Sequence, residues 1–189
     1  MNVGELQLII GPMWAGKTTE LLRRLFNEAA VGLKCIYINH SKDKERSTES
    51  FSTHNPLYKE KLSKESGVTL VSARRINDID VTGYDVVGID ESQFFDHLVD
   101  DVLCLVDDKH KTLIVSGLNG DKHREKMGEI NDLIPHMDSC TFLTAYCRFC
   151  ADKGIKRNAI FSYKFGTGSD IGGDDKYVPL CRDCWLHIL

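Results

Sequence analysis

Hydrophobic and polar positions alternate along the first three quarters of the chain in two periods. Leu6-Gln7-Leu8-Ile9-Ile10 is short, apolar and stopped by Gly11-Pro12, which predicts a buried strand. Leu21, Leu22, Leu25, Phe26, Ala29 and Ala30 then fall on one face of a helix that ends near Gly32. Cys35-Ile36-Tyr37-Ile38 predicts a second strand, and Val68 to Val71 a short third. Tyr84-Asp85-Val86-Val87-Gly88-Ile89 predicts another, closing on Asp90-Glu91. Phe95, Leu98, Val99, Val102, Leu103 and Val106 mark a core-facing helix, Leu113-Ile114-Val115 a strand, and Cys140 to Ala145 the last core strand. Strand, helix, strand in repetition predicts an α/β fold, a parallel sheet covered by helices. Residues 40–66 are polar and aperiodic, a loop-rich stretch too long for an ordinary connection, with Lys59 to Glu65 as a solvated face. Past residue 145 the pattern changes to paired cysteines and a glycine-rich run. The chain therefore divides into 1–145 and 146–189.

Composition narrows the function classes. The 189 residues suit one domain with a small appendage, and 24 basic against 28 acidic side chains leave a net charge of -4. No basic surplus drives binding to a nucleic-acid backbone. No apolar run approaches the roughly 20 residues that cross a bilayer, and Met1 to Glu5 lacks the basic lead of a signal peptide. The expectation is a soluble, cytoplasmic protein without membrane or nucleic-acid partners.

Gly11-Pro12-Met13-Trp14-Ala15-Gly16-Lys17-Thr18 fits G-x-x-x-x-G-K-[ST] between a predicted strand and a predicted helix, the context that motif requires. Glycines let backbone N–H groups curl around phosphate oxygens, and the helix N-terminus adds positive potential. Lys17 reaches β- and γ-phosphates, and the Thr18 hydroxyl suits Mg²⁺. A nucleoside triphosphate, bound as Mg-ATP, is the expected ligand. Asp90 ends an apolar strand, where a carboxylate holds Mg²⁺ directly or through water. Glu91 follows it, placed either to deprotonate an attacking hydroxyl or water, or to cap the next helix.

Of seven cysteines, Cys35, Cys104 and Cys140 stand alone, while Cys147-x-x-Cys150 and Cys181-x-x-Cys184 form two pairs. Two such pairs close a tetrahedral zinc site, leaving no position open for substrate, so the metal is structural. A thioredoxin-like redox motif needs only one pair. Residues 151–180 would be a loop pinned at both ends. Trp185 is expected over the zinc, and the histidines other than His54 at the surface or satisfied in the core.

The chain as a whole resembles the type II thymidine kinases, the tetrameric kind of animal cells, many bacteria and poxviruses. The resemblance runs through Gly11-Pro12-Met13, Lys42-Asp43, Thr53-His54, Asp90-Glu91-Ser92-Gln93-Phe94-Phe95 and Gly117-Leu118-Asn119-Gly120. It continues through Leu143-Thr144-Ala145, the four cysteines, and Gly172-Gly173 with Lys176-Tyr177. It implies a RecA-like P-loop sheet with a C-terminal zinc-anchored lasso domain. It also implies ATP-dependent phosphorylation of thymidine or deoxyuridine for DNA precursor synthesis, a homotetramer, and feedback inhibition by dTTP. Position by position, Glu91 matches the catalytic base, Asp90 the magnesium-side acid and Gln93 a phosphate- or nucleotide-side contact. Asp43 matches the residue holding the deoxyribose 3′-hydroxyl, and Arg46 a phosphate-side arginine once Glu45 is taken as an insertion. Met13, Phe94 and Leu118 match thymine-pocket positions, and Ser162 stands where the family commonly has threonine. Gly168, Ser169, Asp170, Ile171, Gly172 and Tyr177 fall on the lasso.

The chain departs from the family pattern at Lys122 and Met127, both usually aromatic pocket positions, and at Trp14 and Ser92, usually Phe and Gly. Met127 fills space flexibly, whereas a buried Lys122 ammonium needs a partner. Two rival functions fit parts of the sequence. One is an ATPase whose zinc ribbon binds nucleic acid through Lys153, Lys156, Arg157 and Lys164. The other is a non-catalytic nucleotide-binding relative.

Overall fold

The computed structural model describes residues 3–41, 67–165 and 177–188. Within them, β1 (Glu5–Gly11) leads through the glycine loop into α1 (Lys17–Ala30), followed by β2 (Cys35–His40), β3 (Val68–Ala73) and β4 (Val86–Asp90). Helix α2 (Leu98–Leu103) continues through a wider π turn, Cys104–Asp108, before β5 (Thr112–Leu118). A 3₁₀ segment, Ile130–His136, precedes β6 (Ser139–Phe142). The remainder is β7 (Ala145–Tyr146), α3 (Arg148–Ala151), β8 (Asn158–Ala159), β9 (Phe161–Lys164), β10 (Tyr177–Leu180) and α4 (Arg182–Leu186).

Six strands form one parallel sheet in the order β3-β2-β4-β5-β1-β6. The α/β expectation is borne out. Side chains alternate across each strand, so Leu6, Leu8 and Ile10 face one side with Ile36, Ile38, Val87, Ile89, Leu113 and Val115. There they meet Leu98, Val102, Leu105 and Val106 of the α2 region and Ile130 and Leu133. Ile9, Tyr37 and Ile114 face the other side, against Leu21, Leu22, Leu25 and Phe26 of α1. Each such buried side chain contributes about 1.5–3 kcal/mol, whereas the Arg23–Glu20 pair on α1, with its arginine half-exposed, adds about 1 kcal/mol or less. Packing, then, seats α1. It sits close because β4 carries Gly88, where a Cβ would stand 2.6 Å from a Leu25 methyl.

Two boundaries differ from the pattern in the sequence. Phe95 lies before α2 and packs edge-on against the His40 ring at 4.8 Å, and the π turn brings Leu105 inward beside Val106. Cys140 to Ala145 is not a single core strand. β6 is an edge strand with Ser139, Cys140 and Phe142 exposed. The chain then leaves the sheet at Leu143, whose N–H donates to Ile10 O at 2.8 Å. β7 pairs instead with β8, antiparallel. From here a third apolar cluster forms, built from Ala145, Cys147, Cys150, Ala159, Leu180, Cys181 and Trp185.

Candidate active site

The glycine loop lies at the C-terminal end of β1. Trp14 (φ 67°) and Gly16 (φ 81°) take left-handed backbone there, and Gly16 is the N-cap of α1 with no side-chain cap bond. The first-turn amides are thus left to a ligand rather than to a capping side chain. Gly11 accommodates the crossing of β6 into β7, since a Cβ at this position would stand 2.3 Å from Leu143 O. Lys17 Nζ donates to Pro12 O at 2.9 Å, curling over the loop. Burial lowers its pKa from the ordinary lysine value, against the opposing pull of the Glu91 and Asp90 carboxylates. Those three charged groups share one neighbourhood. Thr18 follows as the second residue of α1.

Asp90 ends β4, separated from β1 by β5 alone. Its buried carboxylate accepts from Tyr37 OH at 2.8 Å, from the Glu91 N–H at 3.0 Å, and from the Ser116 hydroxyl. A carboxylate offers about four lone-pair sites, so three internal bonds orient Asp90 and leave room for one further contact. Glu91 adopts left-handed backbone (φ 49°), a conformation that costs an ordinary residue about 1–3 kcal/mol and concentrates at functional sites. Although it precedes the 3₁₀ turn Ser92–Phe94, its side chain makes no cap bond. The carboxylate instead accepts from Gln93 Nε2.

Gln93 is held at both ends of its amide, because Oε1 accepts from Leu118 N at 3.0 Å. The backbone there is tight: a Cβ on Gly117 would stand 2.4 Å from Ser92 Oγ, and one on Gly128 2.4 Å from Gln93 O. Phe94 lies beside His40, ring centroids 6.0 Å apart.

A cavity of about 130 Å³ opens beside this turn, lined by Leu118, Gly120, Asp121, Lys122, Lys126, Met127, Ser162 and Tyr177. Five of the residues assigned to the base pocket from sequence (Leu118, Lys122, Met127, Ser162 and Tyr177) therefore share one cavity. The C-terminal segment also clasps the glycine loop: Met13 N donates to Ser162 Oγ at 2.9 Å, and Trp14 Nε1 to Tyr177 O at 3.2 Å. Asp43, Arg46, Gly168, Ser169, Asp170, Ile171 and Gly172 lie outside the described residues.

The Sγ atoms of Cys147, Cys150, Cys181 and Cys184 all lie within 4.8 Å of one another. Two of the separations are 3.6 Å (Cys150–Cys184) and 3.9 Å (Cys150–Cys181). A tetrahedral zinc with Zn–S near 2.3 Å requires about 3.8 Å, so the four thiols fit such an ion. Burial alone would push the Cys181 thiol up. The Cys184 N–H and the Arg157 guanidinium outweigh it and bring it down to about 7, whereas burial pushes the neighbouring Cys150 and Cys184 thiols up. The basic residues of the nucleic-acid alternative are dispersed. Lys164 is buried, Arg157 pairs with Asp183 at 3.1 Å, and only Lys153 and Lys156 remain as exposed lysines between the cysteine pairs among the described residues.

Sequence reasoning did not find Tyr37 and Ser116, the partners of Asp90. They sit on β2 and β5, and only the strand order brings them beside β4. Arg124 was also missed. Its guanidinium lies 3.8 Å from the Trp185 ring centroid, and nothing in its local sequence points there.

A glycine phosphate loop between β1 and α1, an acidic pair at the end of β4 and a four-cysteine C-terminal unit define a P-loop α/β protein. Within that class, the chain belongs to the thymidine kinase family, whose family model, described as "Thymidine kinase", matches residues 4–185. It is therefore an enzyme of that family. It is 36% identical over 192 residues to the thymidine kinase of raccoon poxvirus, covering 99% of both chains. Against the cytosolic thymidine kinase of Homo sapiens it is 36% identical over 188 residues, 97% of this chain and 74% of the relative. A thymidine kinase of Oryza sativa subsp. japonica is 38% identical over 191 residues, and this chain spans 66% of its length.

Proposed function

We propose that the protein transfers the γ-phosphate of ATP to the 5′-hydroxyl of thymidine or deoxyuridine, supplying dTMP for DNA precursor synthesis. The observation that carries this reading is that Glu91, next to Asp90 and electrostatically coupled to Lys17, is bonded to Gln93, whose other amide end holds Leu118 of the cavity wall. The 5′-oxygen attacks the γ-phosphorus as its proton passes to the Glu91 carboxylate. An O–P bond forms, the bond to the β-phosphate oxygen breaks, and ADP leaves with the electron pair. Catalysis of this kind is mainly positioning and electrostatics. Lys17 and the loop amides hold the phosphates. Gln93 holds the Glu91 carboxylate in place, and the three bonds on Asp90 fix its free lone pair. Thr18 and Asp90 would hold Mg²⁺, which supplies charge neutralisation on the phosphates. Asp43 is assigned to the 3′-hydroxyl, Arg46 to the phosphates, and residues 168–172 to the base edge.

The four cysteines would hold a structural zinc, and residues 146–189 act as a zinc-anchored lasso domain on the 1–145 nucleotide-binding domain. A cytoplasmic location, a homotetramer and dTTP inhibition complete the reading. The relative named as cytosolic supports the first, and no helix among the described residues is long and apolar enough to cross a membrane.

The test is γ-phosphate transfer from Mg·ATP to each of the four common deoxynucleosides and deoxyuridine, reading the 5′-monophosphate. Selective product from thymidine and deoxyuridine is expected. Transfer only to another base would overturn the substrate, and ATP binding without any transfer would overturn the activity.

A further inference from the structure

The loop between β5 and the 3₁₀ segment Ile130–His136 supplies five residues to the cavity: Gly120, Asp121, Lys122, Lys126 and Met127. Its base is pinned. Asn131 Nδ2 donates to Asn119 O at 2.8 Å, and Gly128 packs so tightly on Gln93 that a Cβ has no room. Its tip is a turn organised by one carboxylate. Asp121 Oδ1 accepts from both His123 N and Glu125 N at 2.8 Å, and Arg124 N donates to Asp121 O at 3.1 Å.

Arg124 in that turn takes left-handed backbone (φ 68°). The guanidinium lands 3.8 Å from the centroid of the Trp185 ring and 5.4 Å from that of Phe161, both within the roughly 6 Å range of cation–π attraction. Trp185 is buried, follows Cys184 and belongs to the cysteine cluster. Phe161 precedes Ser162, which lines the cavity and accepts from the glycine loop. One side chain of the cavity-lining loop thus reaches the four-cysteine unit.

We infer that Arg124 is a positioning residue for the nucleoside: by stacking on Trp185 and Phe161 it fixes the loop carrying Lys122 and Met127 against β9, making base binding depend on the integrity of the cysteine unit. The inference rests on the proposed nucleoside kinase activity. Arg124 touches neither the phosphate loop nor Glu91, so its effect falls on the nucleoside and not on ATP. Its side chain is largely exposed, which places the stacking at the weak end of the cation–π range.

The experiment is steady-state kinetics of Arg124→Ala, Arg124→Lys, Trp185→Leu and the Arg124→Ala/Trp185→Leu double variant, with the nucleoside that the wild type accepts. Arg124→Ala raises the nucleoside KM about three- to fivefold while the ATP KM and kcat stay within about twofold, and Arg124→Lys recovers most of the loss. The double variant is no worse than Trp185→Leu alone. An unchanged nucleoside KM, a parallel change in both KM values, or fully additive losses overturn the inference and leave the kinase reading intact. A wild type that phosphorylates no nucleoside overturns the kinase reading, and the inference with it.

Discussion

Tyr37 shows how the acidic site is tuned one residue at a time. Its ring belongs to the apolar cluster under α1, and its hydroxyl donates to Asp90 at 2.8 Å. Hydrogen bonds to charged groups are worth about 1.5–3 kcal/mol, so Tyr37→Phe keeps the packing and loosens the carboxylate. We expect kcat to fall about tenfold with little change in melting temperature, measured by steady-state kinetics beside a thermal scan. An unchanged kcat would show that Ser116 and the Glu91 amide suffice. Lys122 offers a second test at this scale. It lines the cavity with Met127 and Ser162, where an ammonium is a poor substitute for an aromatic face. Lys122→Phe should lower the thymidine KM several-fold, and an unchanged value would place its side chain away from the base. Lys17 was legible in the sequence by its spacing in the glycine motif at the start of α1, and Asp90 and Glu91 by the end of β4. Tyr37 and Ser116 were not, since they depend on which strands flank β4.

The elements held where burial chose between periods and shifted where it did not. β1, β2, β4 and β5 are buried on both faces and read as apolar runs. β6 looked like a core strand from Cys140 to Ala145, but its residues mark an edge and a departure into a second sheet. That change is set by the contact of Leu143 with Ile10, not by local pattern. Gly88 is a position where element packing is directly testable. Gly88→Ala places a methyl against Leu25 and Leu21, and overpacking of this kind costs about 1–3 kcal/mol, read as a lowered denaturation midpoint. Helix α1 also carries a pH-dependent tie. Arg23, then Arg24, hold the Glu20 carboxylate down to about 2 from its usual 4.5. Arg24 in turn reaches Gln7 on β1 and Thr141 on β6. A depressed carboxylate stabilises the fold above pH 4.5, and that contribution drains away as pH falls towards 2. Glu20→Gln should therefore flatten the stability–pH slope in that window and leave neutral-pH turnover unchanged. An identical slope in both proteins would contradict the assignment.

Across the whole molecule, the catalytic end of the sheet and the cysteine unit meet, among the described residues, through Met13–Ser162, Trp14–Tyr177 and the stacking of Arg124 on Trp185 and Phe161. Both units were legible in the sequence, because a phosphate loop and two C-x-x-C pairs are each fixed by spacing. Their contacts were not, since they join residues far apart in the chain. The third cluster includes the cysteines themselves, so metal extraction by a chelator under reducing conditions should abolish thymidine turnover and the near-ultraviolet signal of Trp185 together. The central claim is that Glu91 takes the proton of the 5′-hydroxyl. The most direct measurement is γ-phosphate transfer to thymidine by Glu91→Gln beside the wild type, with ATP binding titrated on both. A general base contributes about 10²–10⁴-fold, so turnover should fall by at least about a hundredfold while ATP affinity changes little. Comparable turnover in the two proteins would contradict it.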